Sequence, residues 1–532
     1  MAPKRSRYRP VKPFSHQLRE TSCVYFDDGL YLEAISFLSN LLNSGTSVSD
    51  RTLLAHAPFP QQLGLLSTLV VHPTFTTRAS SAERLQASNS ALRLLHDVNK
   101  IVGPVNADFA NAFAFRSLSV SRRGGRRRGA DDESEDGGDA ERMIRSELAN
   151  TGSLFAQAES FWDVVGWAFN SSVVHKKRWE RWRLWLELML DALEDDWAER
   201  LKEVDEKHAE VDDPAHDAAA QSLILQYLPA SDGRTGRRRV MRAILANGDR
   251  KSLNEFREVF RNETAERKQE ESTKTRLPTR INIDEGDFGD YGLDDDDEDD
   301  MLENAVDLRT STRSTRRDVL AVDEESEDGN DEGTSRSSDH YALGGVDSII
   351  LRQRLLSLLH RVAAARPNLF TDESDLFDLY TEFMRPLPLT SFDLLLTSSK
   401  LDPMAQIRLQ TNLLLPLLST RPPVYDDQPL TQSDFEHNFL PYAANANSNV
   451  DNAKTSLVLE ALMMALFTST GLQPTETLGA AVEEGIRARK QKAIGDARRK
   501  GKGKEGEELE ARRVLDLSEE RLMALLEVIE SG

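Results

Sequence analysis

Apolar residues recur at helical spacing along most of this chain. The first such stripe follows residue 29 and consists of Leu30, Ala34, Leu38, Leu41 and Leu42. A repeat of 3.6 residues is typical of an amphipathic helix with one buried face. Asp27 or Asp28 is placed to cap this helix, and the sequence Asn-Ser-Gly at 43–45 is expected to end it.

The same periodicity fills the rest of the first 268 residues. Alternating polar and apolar runs of the strand type are almost absent, and β-branched residues are sparse. We therefore predict helices at about 60–72, 81–102 and 140–150, from there through a tryptophan-rich segment to 207, and at 217–228 and 236–268.

A second run of helical pattern begins at Val346. Prolines at 386, 388, 422 and 423 are expected to break it. The residues Gly-Lys-Gly-Lys-Glu-Gly-Glu-Glu at 501–508 predict a flexible tail, followed by a short helix at 517–529 that Ser518 opens. The predicted helices of this part start at 346 and then lie at 373–384, 390–397, 403–419, 453–469, 474–495 and 517–529.

Residues 269–345 differ from both helical parts, because they are rich in Asp, Glu, Ser, Thr, Arg and Gly. Such a segment buries too little apolar area to offset backbone ordering, at ~1–2 kcal/mol per residue, and is expected to be disordered. The predicted fold class is all-α, an irregular helical bundle or helical-hairpin array in two blocks, separated by a long acidic disordered insert. The predicted divisions are a basic disordered N-terminus (1–14), a helical domain (15–268) with a flexible loop (117–139), an acidic linker (269–345), a second helical domain (346–495), and a basic tail with a short terminal helix (496–532).

The negative charge is concentrated in tracts. The chain carries a formal net charge of −22, while residues 281–308 contain 13 acidic residues and neither lysine nor arginine. A shorter acidic tract lies at 131–139. Net charge therefore does not decide whether the folded surface binds nucleic acid. The tract at 294–300 is interpreted either as a binding segment for basic proteins or as a solubilising linker.

All six tryptophans lie between residues 162 and 197. On a helical projection of 175–201, one face is apolar and a second apolar patch lies almost opposite, which is typical of a central helix covered on two sides. We predict that this face is structural core, with partner binding as the alternative because tryptophan is enriched in interface hot spots. The predicted core residues are Trp179, Trp182, Leu186, Met189, Leu193 and Trp197.

Basic residues are interleaved with these aromatic residues in the sequence His-Lys-Lys-Arg-Trp-Glu-Arg-Trp-Arg at 175–183. That pattern also suits single-stranded nucleic acid, whose bases stack on aromatic rings. An arginine-rich loop at 121–129 supports the same interpretation. The candidate residues for binding a partner or nucleic acid are Arg122, Arg123, Arg126, Arg127, Arg128, Lys176, Lys177, Arg178, Arg181 and Arg183.

Basic clusters also act as nuclear-import signals. Four stand apart in this chain, at 4–12, 121–129, 309–317 and 487–504, and the last has nine Lys/Arg residues and one acidic residue. A solvated run without a function is the alternative for any one of them. The candidate import residues are Arg487, Arg489, Lys490, Lys492, Arg498, Arg499 and Lys500.

The chain has one cysteine, Cys23, so it cannot form an internal disulfide or a cysteine-rich zinc site. No phosphate-binding loop, dinucleotide fingerprint, zinc-protease helix or nucleophile elbow occurs, and the ten histidines are scattered. No apolar run approaches the ~20 residues that span a bilayer. We predict no cofactor, no metal, no enzymatic activity and no membrane association, and the sequence carries no signal for an oligomeric state.

These features favour a non-enzymatic interaction scaffold, or a subunit of a nuclear multiprotein complex in chromatin or genome maintenance or in ribosome biogenesis. Its expected partners are the other proteins of that complex, with nucleic acid or basic proteins as further partners. The alternative function is nucleic-acid binding through the arginine- and lysine-rich loops and the basic–aromatic helix. The expected location is the nucleus, with the cytoplasm as the alternative.

Overall fold

The computed structural model describes residues 7–44, 46, 53–115, 143–207, 218–229, 233–265, 343–418, 430–496 and 505–531. Within these ranges the chain is helical, as the sequence predicts, and its only strands are β1 (Val11–Lys12) and β2 (Ala55–His56), which pair in parallel. The predicted loop at 117–139 lies outside the described residues. So does the predicted linker, except for residues 343–345.

The first block contains helices α1 to α11 in the described ranges. Three-residue and four-residue 3₁₀ turns at Pro73–Phe75, Glu147–Ala149 and Ala218–Gln221 connect some of them. The helices are α1 (His16–Asp27), α2 (Tyr31–Asn43), α3 (Pro60–Val71), α4 (Ala82–Ile101), α5 (Phe109–Ala112), α6 (Leu154–Gln157), α7 (Phe161–Val174), α8 (Lys176–Lys207), α9 (Leu223–Tyr227), α10 (Arg234–Ile244) and α11 (Arg250–Glu255).

The second block contains helices α12 to α19 in the described ranges, with a π-helical turn at Phe435–Phe439. Its helices are α12 (Val346–Ala365), α13 (Glu373–Met384), α14 (Leu389–Thr397), α15 (Pro403–Leu418), α16 (Gln432–Asp434), α17 (Asn449–Thr470), α18 (Glu476–Asp496) and α19 (Glu505–Ser531). Helix α17 is central to this block, because α14, α15, α18 and α19 all pack on it.

Helix α8 is central to the first block. It is 32 residues long and contacts α3, α4, α7, α9 and, across the block boundary, α12. Its two apolar sides explain this position, because neighbouring helices cover both of them. The six residues predicted as core are all buried, as are Trp185, Leu188 and Ala192 on the opposite side.

The two blocks pack against each other through α12. Arg352 of α12 is wholly buried, and its guanidinium donates to the main-chain carbonyls of Ile244, Ala246 (2.9 Å) and Leu343 (3.3 Å). It also lies 4.1 Å from the centre of the Phe169 ring. Because Ile244 is the last residue of α10, the cation sits at the negative end of that helix dipole.

Ion pairs surround this buried contact. Arg354 of α12 donates to Asp191 at 2.7 Å and to Glu194 at 2.9 Å, both on α8. Arg183 of α8 pairs with Asp347 at the start of α12. The described parts of the two blocks therefore form one compact unit.

The predicted linker meets the first block at one corner. Glu263, which precedes the predicted linker, pairs with Arg178 at the beginning of α8. Gly344, near the end of that linker, has φ +84°, and an added Cβ would come within 1.9 Å of the Ser172 hydroxyl at the end of α7. Only glycine fits there. The chain thus leaves and re-enters at the α7–α8 corner, and Leu343 is buried there, contrary to the predicted disorder.

Several helix boundaries differ from the sequence predictions. Helix α1 has no counterpart among them, and residues 7–14, predicted to be disordered, contain β1 and the buried Tyr8. Helix α2 begins at Tyr31, and its N-cap residue Leu30 provides no side-chain cap; Asp27 accepts instead from the Arg145 amide at 2.7 Å. The predicted helix at 140–150 is a 3₁₀ turn at its described end.

Two longer predictions are also wrong. The segment 236–268 is not one helix, because the chain turns at Gly248, which has φ +74°, between α10 and α11. Conversely, the last helix starts at Glu505 rather than at Ser518, and 505–508 are helical instead of flexible. Ser518 is buried inside α19, where its hydroxyl donates to Ser456 of α17 at 3.0 Å.

Candidate functional site

The basic start of α8, predicted to bind a partner or nucleic acid, is largely used inside the fold. Arg178 is buried and donates to Glu263 Oε1 from Nε at 2.8 Å, to Thr76 Oγ1 at 2.8 Å and to the Val71 carbonyl at 2.7 Å. The indole of Trp182 donates to the same carboxylate oxygen at 2.6 Å. The prediction of a ligand-binding role is therefore wrong for Arg178, because its donors are directed at interior acceptors.

The other basic residues of this helix lie nearer the surface. Lys176 and Lys177 are exposed, Arg181 donates to the Asn89 amide oxygen at 2.7 Å, and Arg183 pairs with Asp347. The rings of Trp179 and Trp182 are buried, so neither is free to stack on a base. The structure thus separates the exposed cations of α8 from its aromatic residues.

The arginine-rich loop lies outside the described residues, and with it Arg122, Arg123, Arg126, Arg127 and Arg128. The same holds for three of the candidate import residues, namely Arg498, Arg499 and Lys500.

The remaining candidate import residues lie on α18 and are only partly accessible. Arg489 is wholly buried and donates to the carbonyls of Leu440 and Tyr442 at 3.2 and 3.3 Å. Lys492 donates to the Ala444 carbonyl at 2.5 Å, Lys490 pairs with Glu519, and Arg487 is exposed. The prediction of an import role is wrong for Arg489, because an import receptor cannot reach a buried side chain.

A cleft in the second block, between α14, α15 and α17, is the candidate functional site. It has a volume of about 320 Å³. Apolar side chains that include Leu396, Leu457 and Met464 form part of its lining, and two carboxylates, Asp393 and Glu460, face it as well. Apolar walls with a few charged groups are typical of binding sites.

The two carboxylates of this cleft are in different environments. Glu460 accepts from Arg521 Nε at 2.5 Å and from Arg521 Nη2 at 2.9 Å. Asp393 Oδ1 is buried and accepts no hydrogen bond within the described chain. Burial raises the pKa of Asp393 above its ordinary value. The positive charge of Arg521 acts in the opposite direction, and the negative charge of Glu460 raises the pKa further. The cleft therefore contains one paired carboxylate and one whose charge is poorly compensated.

An exposed stripe on α19 meets this cleft through Arg521, which donates to the lining residue Glu460, and we call Leu517, Arg521, Ala524 and Val528 the α19 stripe. These residues follow the spacing i, i+4, i+7, i+11 and so share one helix face. Leu517 is 42% exposed and Val528 is 52% exposed. The contacts Ser456–Ser518 and Glu460–Arg521 set a parallel register between α17 and α19. By that register Ala524 comes level with Met464, which is 48% exposed.

Part of this candidate site could be predicted from the sequence. The predicted helix at 517–529 covers the α19 stripe, whose apolar spacing is visible in the printed sequence. Asp393 carried no signal, because its neighbours Glu460 and Arg521 are distant in sequence. The arrangement of charges in the cleft depends on packing around α17.

Among the described residues, no group of three or more potential metal ligands is placed to hold a metal ion. No helix in the same ranges combines the length and the apolar character needed to cross a lipid bilayer. No protein-family model matches the chain, and no curated protein sequence matches it.

Proposed function

We propose that this protein is a non-enzymatic interaction scaffold, a subunit of a nuclear multiprotein complex that acts in chromatin or genome maintenance or in ribosome biogenesis. The observation that supports it most is the α19 stripe beside the cleft, where the side chains of Leu517, Ala524 and Val528 are open to solvent on one face of the helix. Exposed apolar side chains grouped on one face and bordered by charged residues are typical of protein–protein contact sites, and methionine is enriched in them.

The packing between the blocks supports the same proposal. A buried arginine and several ion pairs hold the described parts of both blocks in one unit. A scaffold needs such a body, because a preorganised surface loses less conformational entropy on binding. The acidic tract within 281–308, joined to this body at the α7–α8 corner, adds a second segment with affinity for basic proteins.

The proposal is tested with the tagged full chain in extracts of its own cells. We expect it in the nuclear fraction and, by size-exclusion chromatography with mass detection, at a mass well above that of the monomer. The variant Leu517→Glu/Val528→Glu should elute as a monomer. Val346→Glu is the matched control, because Val346 is 69% exposed on α12 of the same block. A wild-type chain that is cytosolic and monomeric would disprove the proposal.

Nucleic-acid binding through 175–183 is the alternative function. The exposure of Lys176 and Lys177 favours it, whereas the burial of Trp179, Trp182 and Arg178 argues against it. A fluorescence-anisotropy titration with a single-stranded oligonucleotide separates the two functions. Affinity that falls steeply as salt rises and disappears in Lys176→Glu/Lys177→Glu would support the alternative. Absent or unchanged binding would count against this surface.

A further inference from the structure

The cleft and the α19 stripe differ in chemistry, and together they define one kind of ligand. The stripe offers apolar side chains at heptad-like spacing, which the apolar face of a second helix matches. The cleft beside it has a volume of about 320 Å³ and contains a carboxylate with a buried, unpaired oxygen. A ligand that fits both has an apolar face and a charged side chain long enough to enter the cleft.

The charges in the cleft decide whether the ligand's side chain must be positive or negative. Asp393 and Glu460 contribute two negative charges to the cleft, and Arg521 contributes one positive charge, which its two hydrogen bonds direct at Glu460. Asp393 Oδ1 accepts no hydrogen bond from the described residues, and Arg521, whose hydrogen bonds go to Glu460, compensates the charge of Asp393 only in part. A cation entering the cleft would compensate it, and a charge-assisted hydrogen bond is about twice as strong as a neutral one.

We infer that the cleft and the α19 stripe bind an amphipathic helix of a partner protein, with one arginine or lysine of that helix inserted beside Asp393. The apolar residues of the partner helix pack on Leu517, Ala524, Val528 and Met464. This inference deepens the proposed scaffold function and rests on it, because it names the chemistry of the partner.

The geometry favours a helix over an extended segment. An extended strand needs a sheet edge to pair with, whereas the exposed elements around this cleft are helices. The lysine and arginine stems are apolar, so they can lie along Leu396 and Leu457 while the charged head reaches the carboxylate. The same wall would hold the stem of a neutral side chain, but without the charge-assisted hydrogen bond.

The test uses the full chain with ¹³C-labelled methionine methyl groups and two synthetic helical peptides. Both peptides carry leucines at i, i+3, i+4 and i+7, one with a central arginine and the other with citrulline in its place. The arginine peptide should shift the Met464 resonance. Binding of the citrulline peptide should be about tenfold weaker, which corresponds to one charge-assisted hydrogen bond.

Met404 provides the internal control, because it is 51% exposed on α15 but does not line the cleft. Its resonance should stay unchanged with either peptide. A shift of Met404 equal to that of Met464 would indicate unspecific association and would overturn the inference.

Two variants separate the charge from the apolar surface. Asp393→Asn should bind the arginine and citrulline peptides equally, whereas Glu527→Gln, an exposed carboxylate elsewhere on α19, should keep the tenfold difference. Leu517→Glu/Val528→Glu should lose both peptides. Retained discrimination in Asp393→Asn would disprove insertion of the cation.

This result is distinguishable from failure of the scaffold proposal. If the chain elutes in a large nuclear complex but neither peptide shifts its Met464 resonance, only the inferred binding of an amphipathic helix is disproved. A chain that binds the arginine peptide as described but is monomeric and cytosolic in extracts disproves only the scaffold proposal.

Discussion

Two buried arginines hold this fold together by different means. Arg178, at the start of α8, faces the buried carboxylate of Glu263, with Thr76 and a main-chain carbonyl as further acceptors. Arg352, between the blocks, has no carboxylate among its hydrogen-bond partners in the described chain, and its acceptors are three main-chain carbonyls and the Ser348 hydroxyl. Burial lowers the pKa of Arg352 to about 9.

The two sites differ in the kind of group that compensates the positive charge of the arginine. The partner of Arg178 is a side chain, which one substitution removes or replaces. Two of the acceptors of Arg352, the carbonyls of Ile244 and Ala246, lie at the carboxyl end of α10, where the helix dipole favours a cation. Lys454 follows the second pattern, donating to the carbonyls of Arg385 and Leu387 just beyond α13 at 2.6 and 2.7 Å.

Trp182 should show the largest effect, because its indole belongs to the Arg178 site and is wholly buried. Trp182→Ala is expected to lower the free energy of unfolding by roughly 3–5 kcal/mol, measured by chemical denaturation with circular dichroism. Trp182→Phe keeps most of the ring and loses the hydrogen bond, so about 1–2 kcal/mol is expected. A loss below about 1 kcal/mol in the alanine variant would contradict a core role.

The carboxylate partner comes next. Glu263→Leu leaves Arg178 buried without its counter-ion and is expected to cost about 3–5 kcal/mol of unfolding free energy. The double variant Arg178→Met/Glu263→Leu removes both charges and should be more stable than Glu263→Leu alone, since an apolar pair can replace a buried ion pair. A double variant that is less stable than the single one would show that the pair does not act as a unit.

Arg352→Met should lower the free energy of unfolding by less than Glu263→Leu does. A second substitution cannot offset the loss, because the acceptors of Arg352 include main-chain carbonyls. The variant leaves three buried carbonyls without a donor, for which we expect a loss of about 2–4 kcal/mol. Hydrogen exchange should rise at residues 244–246 and in the first turn of α12, because the contact between the blocks loosens.

The control for this variant is Arg354→Met, which removes a partly exposed pair with Asp191 and Glu194. It should change the unfolding free energy by less than about 1 kcal/mol. Equal effects of the two variants would mean that the carbonyl contacts of Arg352 contribute no more than a surface ion pair.

The smallest change in the free energy of unfolding is expected at Asp393. Both arginines donate to buried acceptors, whereas Asp393 Oδ1 accepts no hydrogen bond within the described chain. Its pKa is raised by burial, so the folded state binds the proton more tightly and stability falls as pH rises through that pKa. Asp393→Asn should therefore be more stable at pH 7, by less than about 1 kcal/mol because solvent screens the partly exposed group. The gain should vanish as pH falls below the ordinary Asp value.

The measurement is the melting temperature of both proteins from about pH 3, below the ordinary Asp pKa, to about pH 8, with Glu527→Gln as the exposed control. A gain for Asp393→Asn that grows toward low pH would contradict the raised pKa.

The helices that the sequence predicted well are those with strong local signals. Helix α13 lies at Glu373–Met384 as predicted, and its cap residue Asp372 accepts from the Asp375 amide at 2.7 Å. The burial on two sides of α8 also follows from its apolar pattern. These features depend on residues within a few turns of one another, so the printed sequence contains the information.

The missed features depend on contacts between distant residues. Arg489 looked like part of an exposed basic run, but its acceptors Leu440 and Tyr442 lie 49 and 47 positions earlier. Ser518 looked like a helix cap, but it meets Ser456 of α17, 62 positions away. The cleft charges belong to this class as well, because three helices bring Asp393, Glu460 and Arg521 together.

The chain leaves the first block and returns to it at the α7–α8 corner, so the covalent connection through 266–342 is not what holds the blocks together. A protease that cuts within that range would leave two fragments still joined by Arg352, Arg354 and their acceptors. The two halves, produced as separate polypeptides, are accordingly expected to reassemble by fragment complementation. Tags or reporter domains could then be attached at the new ends without disturbing either helical block.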